Sequence, residues 1–363
     1  MSLELGISRF KNIDGVSCYM ISILHILQQI PSFVDFLIKN DFNKYIKKKT
    51  KVKKIENFVI YQLYRTIKLS TENDNIRISP NSLKKIVGIK DSTWAEYQHQ
   101  DSQEFYTFLI NTLEEECGVN IINIPKIPSH FTDLQELENN ELLRIIGDSY
   151  IRKAESKDYS PIKELFIGYL LSNISCEFCS SESPSFESFT TLPISIPIKN
   201  NTHINKKFTL EECINKLTKN EKLDKFNKYN CEICGLSNRS NKKIQFWKSP
   251  KILVIQLKRF VTNAFGVPVS KIINPVSYPI EDFDISSYFH PNSPYINNSK
   301  YSLIGVNIHR EFGSVNAGHY ISILKNRYDN EWYLFDDSND AVKISASAIQ
   351  NRSAYLLFYY KSD

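Results

Sequence analysis

A chain of 363 residues holds one large domain or two to three ordinary ones. Hydrophobic residues make up 42% of it and charged residues 23%, the balance of a protein with a packed core, and a net charge of +5 is too small to imply a nucleic-acid partner by itself. The longest apolar runs fall far short of the roughly 20 residues that span a bilayer. No apolar region follows Met1-Ser2-Leu3-Glu4, so the expected location is cytoplasmic. The seven cysteines are odd in number and four lie in Cys-x-x-Cys pairs, which favours a reducing compartment and metal ligation over a disulfide framework.

The first predicted element follows the flexible stretch Asn12-Ile13-Asp14-Gly15-Val16-Ser17. From Met20 the apolar residues fall at 20, 23, 24, 27 and 30, the spacing of one buried helix face, with Ser17 as N-cap and Pro31 as the stop. Cys18 then sits in the first turn, where the helix dipole and unpaired N–H groups favour an anion and should lower the thiol pKa. A cysteine so placed is a candidate nucleophile, or else a structural core thiol. Residues 32–70 alternate apolar and basic residues in helical fashion. Within them, 47–54 carries six lysines in eight residues, a candidate nuclear address or a solvated face.

Between Trp94 and Glu116, Phe105, Phe108, Leu109, Thr112 and Leu113 keep helical spacing. Residues 118–160 read as a polar insertion with one short helix at Leu134–Ile146. Cys176-Glu177-Phe178-Cys179 and Cys231-Glu232-Ile233-Cys234 are tight knuckles separated by a long gap. Four thiolates at this spacing make a closed tetrahedral zinc site, structural because no coordination position is left open; two disulfides or four free thiols are the alternatives. Cys117 and Cys213 have no partner in sequence and read as core thiols. Lys251–Leu257 is nearly all apolar, as a central strand buried on both faces should be. Residues 261–271 and 310–317 read as loops. Gly305–His309, Gly318–Ile323 and Glu331–Phe335 read as strands, the last ending in Asp336 and Asp337. A His at the start of one strand, His319, and an Asp at the end of its neighbour can meet across a hairpin.

These stretches resemble the ubiquitin-specific proteases. Gly15, Cys18, Tyr19, Met20 and Ser22 match that family's cysteine box. Gly305, Val306, His309, Gly318, His319 and Tyr320 match its histidine box, continued by Trp332, Phe335, Asp336 and Asp337. Gln100-Asp101-Ser102-Gln103-Glu104-Phe105, Leu257-Lys258-Arg259-Phe260 and Ala354–Tyr359 match in the right order between and after them.

The resemblance implies an α+β, papain-like cysteine protease fold. Its parts would be a thumb subdomain (1–162) with the nucleophile helix, a fingers subdomain (163–250) with a structural Zn2+ on Cys176, Cys179, Cys231 and Cys234, and a palm subdomain (251–363) with the His and Asp. It implies a Cys18–His319–Asp336 triad that hydrolyses the bond after the C-terminal glycine of ubiquitin. Gln100, Asp101, Glu104, Gly318 and Tyr320 would border the channel for the ubiquitin tail, whose basic residues call for acids. The implied partners are ubiquitin and ubiquitinated proteins, met by a monomer without nucleic acid or membrane.

The chain departs from the pattern at three places. The family carries Asn five residues before the cysteine, where Ile13 stands here; Asn12, one residue earlier, is the candidate oxyanion donor. Ile21 stands where the family has Asn, and His25 where it has Gln. The first two motivate an alternative, a ubiquitin-binding module with weak or no catalysis. A protease for another ubiquitin-like modifier is the other.

Overall fold

A computed structural model describes residues 6–39, 42–47, 54–73, 75–119, 139–156, 159–199, 203–223, 228–235, 237–238, 240–263, 265, 268–314 and 317–362. Of the lysine run, residues 48–53 lie outside the described residues.

The first half is helical. Helix α1 (Cys18–Leu27) is buried at all ten positions, because its sequence is apolar around the whole circumference and not along one stripe. It ends at Leu27; Pro31 opens the next helix, α2 (Pro31–Ile38), where a proline suits the first turn. Helices α3 (Val59–Glu72), α4 (Asn81–Lys90) and α5 (Ser102–Glu116) complete the layer. Glu116, at the end of α5, is buried and accepts the Val59 and Ile60 N–H groups at 3.0 and 2.9 Å, so a carboxylate from one helix closes the N-terminus of another. Strands β1 (Arg9–Phe10) and β2 (Arg77–Ile78) pair in parallel and tie the start of the chain to the turn before α4. No single helix among the described residues is long and apolar enough to cross a membrane.

Helix α6 (Asn139–Ser156) replaces the short helix expected at 134–146: it reaches ten residues further, and residues 134–138 lie outside the described residues. The polar face that made this segment read as insertion is its solvent side, while Leu143 and Ile151 are buried. After α7 (Pro161–Phe166) the chain is mostly strand. In order come β3 (Gly168–Cys176), β4 (Glu182–Phe189), β5 (Leu192–Ser195), helix α8 (Leu210–Thr218), β6 (Glu221–Leu223), β7 (Ser240–Lys248) and β8 (Ile252–Lys258). The short β9 (Phe260–Thr262) and β10 (Pro268–Lys271) follow, then β11 (Lys300–Ser314), β12 (Ala317–Lys325), β13 (Trp332–Phe335), β14 (Val342–Lys343) and β15 (Ala354–Lys361).

Strands β4, β3, β7 and β6 form one antiparallel sheet, in that order, which reaches out to the four-cysteine cluster. The main sheet runs β14-β13-β12-β11-β15-β8-β5. Its β8 alternates between two cores. Ile252 and Val254 face the helices, while Leu253, Ile255 and Leu257 join Leu210, Ile214 and the far side. That double burial is why Lys251–Leu257 shows no polar alternation.

Both expected loops contain strand. Residues 260–262 pair with 268–271, and β11 continues to Ser314, with Arg310 opposite His319 and Glu311 opposite Gly318. Val261, Val269, Arg310 and Glu311 in these strands are exposed, so the strands pair beyond the core. Helix α1 lies against β11 and β12 on one side and α5 on the other, so the first described helix is locked onto strands from the far end of the chain.

Candidate active site and metal centre

The loop before α1 is folded by its own side chains. Gly15 takes φ +78°, a left-handed conformation that glycine adopts at little cost. Asp14 Oδ1 accepts the Val16 N–H at 3.1 Å and the Ser17 hydroxyl. Ser17 therefore stands at the N-cap without capping the helix through its side chain, since its hydroxyl is turned to Asp14. Asn12 Oδ1 accepts the Ser17 N–H at 3.0 Å, and Asn12 Nδ2 donates to Asp337 Oδ2 at 3.0 Å.

His319 lies on β12, and the tip of β13 brings two acids to it. His319 Nε2 is 2.6 Å from Asp336 Oδ1 and 4.0 Å from Asp337 Oδ2. The two neighbouring acids thus divide their work: Asp336 meets the imidazole and Asp337 meets Asn12. The sequence singles out Asp336 and misses the Asn12–Asp337 contact; the doubled acid at the strand end is its one visible trace. The imidazole is also hydrogen-bonded to Cys18, and this bond, with Asp336 adding to it, lifts the His319 pKa to about 9 against the opposing effect of burial. A carboxylate, an imidazole and a thiol in a chain of contacts make a nucleophile with its base and the base's orienter. Asp337 is pushed the other way for an acid, above the usual carboxylate range, by burial.

The departures from the motif have structural places. Ile21 is fully buried within α1. His25 accepts the Phe10 N–H at 3.1 Å through Nε2 and packs on Phe10 and Phe335; burial drives its pKa to about 3, so it is a neutral core group.

A cleft of about 810 Å³ runs up to Gly318. Gln100, Asp101, Glu104, Gly318 and Tyr320 all line it, as do His309 and Tyr355, which the sequence does not single out for that place. Asp101 has a second task. It is the N-cap of α5, accepting the Gln103 and Glu104 N–H groups at 2.6 and 3.2 Å, and its other oxygen accepts the Tyr355 hydroxyl at 2.7 Å. Glu104 is the more exposed of the two acids. Gly318 has no room for a side chain: a Cβ there would come within 2.1 Å of His309 Nε2 and 2.7 Å of the Arg310 carbonyl. The strand beside His319 therefore lies flush against its neighbour.

Away from the cleft, the four knuckle cysteines converge. Cys176 Sγ is 3.9 Å from Cys234 Sγ and Cys179 Sγ is 3.6 Å from Cys231 Sγ, and all four sulfurs lie within 4.8 Å of one another. Zinc bound tetrahedrally at about 2.3 Å to sulfur places its ligands roughly 3.8 Å apart, so the cluster fits that ion. Each knuckle turns back on itself: the Ser180 N–H bonds the Cys176 carbonyl and the Gly235 N–H the Cys231 carbonyl, with both Ser180 and Gly235 at positive φ. None of the four is in a disulfide. Cys117 and Cys213 are buried core thiols, and burial raises both pKa values, to about 12 and about 11.

The sequence profile of the ubiquitin carboxyl-terminal hydrolase family matches residues 9–359, nearly the whole chain, and the protein belongs to that family. Ubiquitin carboxyl-terminal hydrolase 2 of Bos taurus is 30% identical over 354 residues, which is 98% of this chain and 55% of the relative. Its Gallus gallus counterpart is 30% identical over 80% of this chain and 76% of its own. Ubiquitin carboxyl-terminal hydrolase 4 of Saccharomyces cerevisiae is 28% identical over 96% of this chain and 38% of the relative. The chain thus spans about half the length, or less, of several relatives it matches. Among solved structures, the SAGA Ubp8/Sgf11/Sus1/Sgf73 DUB module bound to ubiquitin aldehyde contains a chain that superposes with a TM-score of 0.71 at 24% identity. That superposition covers 100% of this chain and 71% of the other. The fold is the α+β, papain-like fold expected from the motifs.

Proposed function

We propose that the protein is a deubiquitinating cysteine protease that cleaves the bond after the C-terminal glycine of ubiquitin. The observation that carries this reading is the contact chain Cys18–His319–Asp336 beside a cleft whose side-chain-free wall is Gly318. Cys18 is the nucleophile, His319 the general base and acid, and Asp336 the group that fixes the imidazole's orientation and tautomer.

In the first step the thiol proton passes to His319 and the sulfur attacks the glycine carbonyl carbon. The C–N bond then breaks, the leaving amine takes the proton from His319, and a thioester remains. In the second step His319 takes a proton from water and the hydroxide adds to the thioester; the C–S bond then breaks, the sulfur takes the proton back from His319 to restore Cys18, and the released acid gives its own proton to solvent as it leaves as a carboxylate. Negative charge develops on the carbonyl oxygen in both steps, and Asn12 is the side-chain donor proposed to meet it. One of its Nδ2 hydrogens goes to Asp337, which leaves the second for the oxygen. Losing such a donor typically costs about 10²–10³ in rate. Glu104 and Asp101 supply the negative potential that a basic ubiquitin tail requires.

Zn2+ is the proposed metal of Cys176, Cys179, Cys231 and Cys234. With four protein thiolates it has no position for substrate and serves the fold alone. The division into thumb, fingers and palm near residues 162 and 250 is proposed on the same footing, the fingers being the sheet that carries the metal.

The test is reaction with ubiquitin bearing a cysteine-reactive group at its C-terminus. A single adduct mapped to Cys18 is expected. No adduct despite measurable ubiquitin binding would move the protein to a binding role, and no adduct without binding would direct attention to another ubiquitin-like modifier.

The raised pKa of His319 has a sign that can be checked. Its charged form gains partners in the folded protein, so its stabilising contribution is complete below the usual value of 6.5 and is lost as pH rises through about 9. The turnover rate is expected to fall over the same upper limb, because the neutral imidazole no longer carries the proton that the leaving amine needs. A pH–rate profile that stays level through pH 10 would remove His319 from the acid role.

A further inference from the structure

Helix α4 carries three lysines, and one of them, Lys84, faces the nucleophile loop instead of solvent. Its ammonium pairs with Asp14 Oδ2 and bonds Ser17 Oγ at 3.0 Å, with the lysine and aspartate side chains only 12% and 5% exposed. The same ammonium stands 5.9 Å from the centre of the Tyr19 ring. The contact bridges a helix that takes no part in the cleft to the turn that delivers Cys18.

The bonds around Asp14 account for the shape of that turn. Asn12 stands six residues before Cys18, so the loop must fold back for Asn12 Oδ1 to reach the Ser17 N–H. It does so around the Asp14 carboxylate, which takes the Val16 N–H, the Ser17 hydroxyl and the Lys84 ammonium. Burial works against this carboxylate's charge, and the Lys84 and Ser17 bonds more than offset it, holding the Asp14 pKa below the usual value. A buried carboxylate stripped of its cation is costly, and the cheapest relief here is for the loop to turn Asp14 out to water. Such a movement would carry Ser17 and Asn12 with it, and with Asn12 the contact to Asp337 beside the imidazole.

We propose that Lys84 is a positioning residue for the reaction. Through the buried Asp14–Lys84 pair it fixes the nucleophile loop, so that Asn12, the start of α1 and Asp337 keep their mutual geometry. It touches neither substrate nor the reacting atoms, and the proposal rests on the cysteine-protease reading above. Displacing reacting groups by about 1 Å can cost on the order of a hundredfold in rate.

The experiment is steady-state cleavage of a fluorogenic amide at the ubiquitin C-terminus by the wild-type chain and by Lys84→Met, Lys84→Arg and Asp14→Asn, with melting temperatures recorded alongside. Lys84→Met is expected to lower kcat by roughly tenfold or more while KM stays within about twofold, since the ubiquitin-facing cleft is untouched. Lys84→Arg restores a cation to Asp14 and is expected to recover most of the loss. Asp14→Asn keeps an acceptor for Val16 and Ser17 but leaves the buried Lys84 ammonium without its counter-charge, so it tests the same pair from the other side should Lys84→Met fail to fold, and its kcat is expected to fall as well. Unchanged kcat in the folded variants, a loss confined to KM, or a loss that arginine does not recover would each overturn the proposal. A wild-type chain that cleaves nothing would overturn the underlying reading instead, which keeps the two failures apart.

Discussion

Replacing Cys18 by alanine is expected to abolish cleavage while leaving ubiquitin affinity within about twofold of wild type. The loss should reach at least about four orders of magnitude in kcat, because covalent catalysis disappears and only binding and oxyanion stabilisation remain. Binding should survive because the cleft is built from other elements: the start of α5, β8, β9 and the strands that carry His309, Gly318 and Tyr355. Alanine is smaller than cysteine and fits the buried first turn of α1 without strain. Kinetics on a fluorogenic ubiquitin amide, with affinity measured by titration calorimetry, separate the two effects. Turnover that persists in the variant would remove Cys18 from the mechanism, and a parallel loss of affinity would mean that the thiol supports the cleft itself.

The second large effect is expected at the cysteine cluster. Purified protein should carry one zinc per chain by metal analysis. Cys231→Ser or Cys176→Ser should release it and lower the melting temperature by at least ~5 °C, since a structural metal's binding energy is folding energy. The sheet formed by β4, β3, β7 and β6 has few other means of holding its far end, where Cys179 and Asn230 are exposed. Ubiquitin cleavage should fall less steeply than in Cys18→Ala, because Cys18, His319 and Asp336 lie on α1, β12 and the end of β13, outside that sheet. Pure protein without metal would leave the cluster as four thiols and remove the reason for its convergence.

The parts of this molecule that could be read in its sequence are those whose chemistry is local. A cysteine at the first turn of an apolar helix, paired knuckles of Cys-x-x-Cys and a histidine flanked by Gly318 and Tyr320 all announce themselves within a few residues. Longer-range structure leaves a fainter trace in the sequence. Residues 310–317 read as a loop, yet the partner strand beginning at Ala317 holds Arg310–Ser314 in the sheet. The pairing of 260–262 with 268–271 is similarly hidden, since a strand outside the core needs no apolar alternation. Helix α6 reads too short from its sequence because its polar face outweighs the few positions it buries. Asn12 and Asp337 are separated by 325 positions, and no local pattern links them. Nor could Asp14 and Lys84 be joined, each being an ordinary charged residue until the fold brings them together.

Strand β15 lies in the middle of the main sheet, between β11 and β8, although it is formed from residues 354–361. The same arrangement makes folding depend on contacts between distant segments, which form slowly. The hydrogen-bond ladder that joins the strand bearing His309 to the cleft-lining β8 runs through residues 354–361, so any weakening of that one strand reaches both walls of the cleft together.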